Sequence, residues 1–354
     1  MKDKNAVSVG QFVLLLLAGR VSNCLLLPAD SLHALSVPDL LLVTVLNAVV
    51  LLFLLLPTCW ALRHSPHQSL TERAGEGSAF AGRAVGFGYL LLYTMVLGFD
   101  MIQFTDFAEK TVKAEFSVNG MTLLVLTVCL LASFYGVEAL GRTSTAIAVL
   151  SVLCLLFFGL MLLPQTERMN FLPATVSKAP VIMQQVLREL PRTAEVVAVG
   201  TLFPHIKDKQ AKGCIWFVVL NAVLSFSVCI TATGVLGDFA SSTAYPYYAA
   251  VSVVHLGLLP RMDLVITALW LGTFFVRFTL FFWLFMRSFQ SVFGKRTKYT
   301  AAGCVAGLLV LILWGFQQRA FQSLWQQITV VYGVALLFFC VVLPLILSKR
   351  RKGT

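Results

Sequence analysis

QFVLLLLAGRVSNCLLLP, residues 11–28, is an apolar run interrupted in its middle by Gly19, Arg20, Val21, Ser22 and Asn23. A helix needs roughly 20 apolar residues to cross a hydrocarbon core, and this run is close to that length. An arginine and two side-chain hydrogen-bonding residues at such depth are costly unless they face a protein cavity or a ligand. The stretch therefore predicts a membrane helix that unwinds at residues 19–23 and binds something at the break. An uninterrupted apolar run would have predicted an anchor and nothing more.

Outward from that stretch the whole chain has the same character. Hydrophobic residues make up 58% and charged residues 12% of it, and the mean hydropathy is +0.85, which excludes a soluble globular domain. About ten spans are expected, near residues 8–28, 38–62, 82–107, 118–138, 143–163, 183–205, 213–236, 262–287, 300–316 and 325–347. Little chain remains outside them, so residues 1–354 form a single all-α, polytopic membrane domain. Residues 1–163 supply five spans, 183–347 supply five more, and 348–354 form a basic cytoplasmic tail.

Short cytoplasmic loops hold the Lys/Arg excess. With the N-terminus inside, the inner set includes Lys2, Lys4, Arg63, Arg73, Arg83, Arg142, Lys207, Lys209, Lys212, Arg287, Lys295, Arg296, Lys298 and Lys349 to Lys352. The outer set is shorter: Lys110, Lys113, Arg168, Lys178, Arg188, Arg261 and Arg319. Both termini are expected in the cytoplasm. The net charge of +11 is then a matter of orientation and of contact with anionic lipid, and no nucleic acid is needed to explain it.

Lys2 and Lys4 ahead of Phe12–Ala18 imitate a signal peptide, but no small-x-small cleavage site follows, so the first span is expected to be retained. Asn23 before Cys24 is too large for a lipidation site. The eight cysteines lie in or beside apolar spans with no C-x-x-C pair, and His64 and His67 sit beside Pro66 in a polar loop. No metal or cofactor is expected. Phosphate loops, nucleophile elbows and H-E-x-x-H helices are missing from the sequence, and enzyme chemistry has no visible foothold.

Span six crowds Arg188, Glu189, Pro191, Arg192, Thr193 and Glu195 into its first half. A helix continued through Pro191 would lose a hydrogen bond and clash with the preceding turn, so a second break is expected there. Spans one and six hold corresponding positions in two halves of five, the arrangement in which an inverted repeat builds a midplane site. The rival reading is that Pro191 marks where an outer amphipathic segment enters the membrane. Three connections stand out: an inner loop at 63–80, where Ser69 or Thr71 can cap a short helix; an outer linker at 164–182; and an outer segment at 238–260. Tyr245, Tyr247 and Tyr248 in the last are read as interface anchors, with a lid as the alternative.

At a helix break, free N–H groups favour a carboxylate and free carbonyls an ammonium. Gly19 lets the backbone turn, Arg20 can hold a carboxylate, and Glu195 can hold an amine or pair with Arg20 in the empty site. A permanent buried Arg20–Glu195 pair is an equal alternative. The ligand set is therefore Gly19, Arg20, Val21, Ser22, Asn23, Tyr93, Thr193 and Glu195, with Asp100 and Glu195 able to exchange a proton or an ion. Tyr89, Tyr93 and Asp100 share one helix face, which either walls a pocket or simply packs. Arg277 is read as a structural partner of Asp100 or another intramembrane acid, and Glu138 with Arg142 as a tie between spans four and five.

Tyr135-Gly136-Val137-Glu138-Ala139-Leu140-Gly141-Arg142-Thr143, then Leu258-Leu259-Pro260-Arg261-Met262-Asp263, Trp270 and Phe274-Phe275-Val276-Arg277, together with Gln11 and Pro28 around span one, carry a resemblance. In this order and over this length the chain resembles the B subunit of bacterial spore germinant receptors, the GerAB-like family of the amino acid–polyamine–organocation transporter superfamily. The resemblance implies a LeuT-like fold of two inverted repeats of five helices. It also implies a place in the spore inner membrane, recognition of a small nutrient such as an amino acid, and A-type and C-type subunits as partners. The family tends to have a small, glycine-rich break in span one, where this chain has Arg20 and Asn23. A proton-coupled amino-acid permease using the same pocket is the chief rival.

Overall fold

Three of the apolar and amphipathic runs become helices behind a serine that satisfies their first free N–H groups. Ser8, Ser36 and Ser69 each accept from the residue three positions on, and Gln11, Asp39 and Glu72 reach back to the serine N–H. The third of these caps turns part of the inner loop into a short helix, with Ser69 and not Thr71 as the cap. In this computed structural model the described residues are 6–27, 35–63, 67–111, 117–172, 175–207, 210–252, 262–294, 297–316 and 331–349.

The helices are α1 (Val9–Leu25), α2 (Val37–Leu62), α3 (Leu70–Gly77), α4 (Ala79–Thr111), α5 (Val118–Ser133), α6 (Val137–Leu162), α7 (Ala179–Glu189), α8 (Glu195–Leu202), α9 (Gln210–Leu236), α10 (Pro246–Ser252), α11 (Met262–Phe293), α12 (Lys298–Phe316) and α13 (Val331–Ser348). Among the described residues seven of them, α2, α4, α6, α9, α11, α12 and α13, are long and apolar enough to cross a membrane, and α1 and α5 are shorter apolar helices. The chain is an all-helical, multi-pass membrane protein. One parallel bridge, Val7 with Ile206, ties the entry of α1 to the end of the segment that follows α8.

The fold is organised around α1. At about 1.5 Å per residue its 17 residues reach roughly 25 Å, short of a full crossing. It is buried on every side from Phe12 to Leu25 apart from Leu14, and it packs on α6, α9 and α11. A helix buried all round belongs in the interior of a bundle, which is where α1 sits. The long α11 packs against α4, α1, α6 and α5, and α2 against α9.

Three expectations are corrected here. α1 runs unbroken through Gly19–Asn23, because its polar side chains find partners on neighbouring elements and the backbone has no need to open. Glu138 and Arg142 pair at 2.7 Å within α6 itself, one turn apart, so they tie no two spans together. The outer segment is also different from a row of interface anchors. Tyr245 and Tyr247 are buried, and Tyr245 donates its hydroxyl to Asp106 at the end of α4 at 2.5 Å, while Phe107 meets Tyr245 and Tyr248 edge-on. Burial and the Asp106 carboxylate push the Tyr245 phenol well up. Pro28, His64, Pro66, Pro173, the 253–261 part of the outer segment, the tail from Arg350, and the loop cations Lys2, Lys4, Lys113, Lys209, Lys295, Arg296 and Arg319 lie outside the described residues.

Candidate functional site

The second expected break is present. Pro191 has no N–H, and residues Leu190–Arg192 make a single 3-10 turn between α7 and α8. Thr193 closes that turn by donating its hydroxyl to the Leu190 carbonyl at 2.6 Å. Val196 N–H returns to Thr193, which leaves the Arg192 carbonyl outside the helical ladder. α1 supplies its donors: Arg20 Nη1 at 2.7 Å and Asn23 Nδ2 at 3.2 Å. Arg20 Nε donates to Asn221 Oδ1 on α9 at 2.7 Å. Arg20 is buried, and these acceptors are all neutral. Among the described residues no carboxylate lies within ion-pair distance of it.

Arg20 and Asn23 line a cavity of about 50 Å³ between α1, α2, α7, α9 and the break. Its polar wall adds Glu189, Thr193, Asn47 and Asn221; Leu40, Val43 and Val228 are among its apolar wall. A single water needs roughly 10–15 Å³ on this measure, so the cavity as it stands takes a few waters. Glu189 at its edge also holds Arg192 at 3.3 Å.

A second charged cluster lies on another face of α1. Arg277 of α11 donates from Nε to Asp100 Oδ2 of α4 at 2.8 Å and from Nη1 to Glu195 Oε1, the first residue of α8. Its guanidinium also lies over the Phe281 ring, 5.2 Å from the centroid. All three charged side chains are buried. Gly19 explains how they fit. A Cβ there would sit 3.0 Å from Glu195 Oε1, a contact tight enough that the carboxylate would have to give way by a few tenths of an ångström.

A family model for the spore permeases, described as spore germination protein, matches residues 6–322. The chain belongs to the spore germination protein family. The matched region contains both the cavity and the charged cluster, and the family supports a germination-related, transporter-like membrane protein. No curated protein matches the chain.

Within this family member the expected ligand set divides in two. Arg20, Asn23 and Thr193 come together at the cavity. Glu195 and Asp100 are taken up by Arg277, so neither form of the expected Arg20–Glu195 pair is found. Gly19 serves close packing and makes no turn. Val21 and Ser22 are buried on α1 away from the cavity lining. Tyr93 is buried and bonds with Thr201 Oγ1 at 2.8 Å, a helix-to-helix contact between α4 and α8 outside that lining. Asn47 and Asn221 had escaped notice, and Glu189, noted in span six, was left out of the expected ligand set. Each of the two is an amide inside an apolar span, the kind of residue that needs a partner or a ligand there, and that signal was available.

Proposed function

We propose that this chain is the nutrient-sensing subunit of a spore germination receptor and binds a small zwitterion, such as an amino acid, in the cavity at the α7–α8 break. One observation carries the reading: Arg20 is a buried cation with only neutral partners, at the wall of a cavity. A buried unpaired charge is expensive, and a ligand carboxylate is the anion that would complete it bidentately. Glu189 at the cavity edge, not Glu195, is the acid in position to take the ammonium group. Because the cavity takes only a few waters, binding requires α7 to move off α2, and that movement is what the protein would signal.

In this reading the helices form two inverted repeats of five, with both termini on the cytoplasmic side of the spore inner membrane. The output passes to A-type and C-type subunits through lateral contacts between helices. The chain performs no chemistry on its ligand. The rival is a proton-coupled permease with the same cavity. Binding of radiolabelled L-amino acids to purified full-length protein tests the site. Arg20→Ala should weaken binding about tenfold or more, the equivalent of about 1.5–3 kcal/mol for a lost charge-assisted contact, with insertion unchanged. Unchanged affinity in the variant refutes the site. Saturable, proton-dependent accumulation of the same amino acid in proteoliposomes favours the permease.

A further inference from the structure

A second cavity lies at the other end of α8 from the break, on the side expected to face the cytoplasm. The start of α3, the end of α8 with the 3-10 turn Phe203–His205, and the last turns of α11 line it, and its volume is about 200 Å³ against about 50 Å³ at the break. At roughly 10–15 Å³ per water it accommodates on the order of a dozen water-sized groups. Hydroxyls form its inner wall: Ser69, Thr71, Thr201 and Ser288, all buried. Two charged side chains, Arg287 and Glu72, stand where it meets the surface, and both are exposed.

Most of this lining can donate hydrogen bonds. A guanidinium has no lone pair to offer, so in the 3.0 Å contact between Arg287 Nη2 and His205 Nε2 the arginine donates, with further N–H groups to spare. The Trp283 ring, 5.6 Å from the guanidinium, helps to hold it in place. Ser69 Oγ and Thr71 Oγ1 lie 2.8 Å apart, and a hydroxyl pair with one bond between them keeps one hydrogen for a third group. Ser288 is 2% exposed, lines the cavity, and its hydroxyl has no hydrogen-bond partner among the described residues. The positive end of the α3 dipole points the same way. Against these stands one carboxylate, Glu72, whose Oε2 is engaged by the Ser69 N–H at 2.9 Å.

We propose that this cavity is a binding site for a phosphate group, supplied either by free inorganic phosphate or by the headgroup of an anionic phospholipid. The donors come from more than one side, which decides between oxyanions. A planar carboxylate would be used up by the guanidinium, whereas a tetrahedral phosphate can take Arg287 through two oxygens and turn the others to Ser288 and the Ser69–Thr71 pair. Bonded to α3 and α11 beside Thr201, the phosphate braces the end of α8 opposite the break. The site stands whether or not the cavity at the break binds an amino acid.

Two measurements on the full-length protein in dodecyl maltoside test this. The first titrates inorganic phosphate against chloride at equal ionic strength and follows the unfolding temperature. The second is native mass spectrometry after exposure to phosphatidylglycerol. A saturable rise in unfolding temperature is expected with phosphate. Arg287→Gln should weaken that binding about tenfold or more and Ser288→Ala about fivefold. Glu72→Gln keeps the capping box of α3 and removes the like charge, so it should tighten binding, a gain that a poorly folded variant does not imitate. Should Arg287→Gln fail to fold, the other two variants decide. Phosphatidylglycerol that stays bound in the parent, is lost from Ser288→Ala and is released by phosphate identifies the headgroup as the source; phosphate binding without retained lipid identifies the free ion. Binding of neither, or a Glu72→Gln variant that binds no more tightly together with a Ser288→Ala variant that binds no more weakly, overturns the proposal.

Discussion

Replacing Arg277 with methionine should be among the most damaging single changes in this protein. Methionine fills a similar volume, so little of the effect comes from a cavity, and the loss can be read as electrostatic. The guanidinium bonds Asp100 at 2.8 Å and Glu195, and lies over Phe281 at 5.2 Å from the ring centroid. Removing one member of a buried ion pair costs about 3–5 kcal/mol, since the acid left behind is neither paired nor hydrated. The cation–π contact adds about 1–2 kcal/mol in a desolvated site. Against a total stability of order 5–15 kcal/mol, this is enough to empty the membrane of folded protein or to lower its unfolding temperature sharply. The assay is the thermal unfolding of detergent-solubilised protein followed by fluorescence-detected size exclusion. A triple variant, Asp100→Asn, Glu195→Gln and Arg277→Met, removes the stranded charges and should recover most of the loss. Arg277→Met within about 1 kcal/mol of the parent protein, or a triple variant no better than the single one, would refute the reasoning.

Three further outcomes follow from contacts elsewhere. Gly19→Val should destabilise the fold where Gly10→Val does not, since a Cβ at Gly19 meets Glu195 Oε1 at 3.0 Å whereas at Gly10 the nearest atom is the Ser8 hydroxyl at 4.0 Å; thermal unfolding compares the two. Asp39→Ala should free the linker ahead of α7, because the carboxylate receives Ser36 N–H at 3.0 Å, Ser177 N–H at 2.8 Å and Ser177 Oγ–H at 2.6 Å; faster tryptic cleavage after Lys178 is the readout. Cys59 of α2 and Cys214 of α9 lie with sulfurs 3.4 Å apart, so a mild oxidant such as copper-phenanthroline should join them, and mass spectrometry showing no such bridge would contradict the packing of α2 on α9.

Much of the architecture was legible because membrane helices obey a simple length rule. Expected spans at 38–62, 213–236 and 300–316 correspond to α2 at Val37–Leu62, α9 at Gln210–Leu236 and α12 at Lys298–Phe316. Pro191 announced its own break, since a missing N–H has one meaning wherever a helix would run. The break expected in span one was misread for a different reason. Polarity within an apolar run says that the polar groups need partners; it does not say whether side chains or backbone will meet the need. In α1 the partners arrived from outside, through Asn221 and the carbonyl that Pro191 had released, and the helix stayed whole. The break between α7 and α8 thus satisfies donors on α1 that would otherwise have called for a second.

The pairing of charges was beyond the sequence because it depends on helix phase. Consecutive residues on an α-helix point about 100° apart. Gly19 and Arg20 are such neighbours, and they face different partners: Gly19 lies against Glu195 and the Arg277 stem, whereas Arg20 reaches across to α9 and the broken turn. A reading by proximity in sequence assigned Arg20 to Glu195, since both stood near a predicted break. Position 19, not 20, faces the Glu195 carboxylate, and a Cβ there would already sit 3.0 Å from Oε1. The tight approach at position 19 accompanies this arrangement of charges. Arg277 keeps both acids, and Arg20 is left beside the cavity with its charge uncompensated, which is the condition a carboxylate ligand requires.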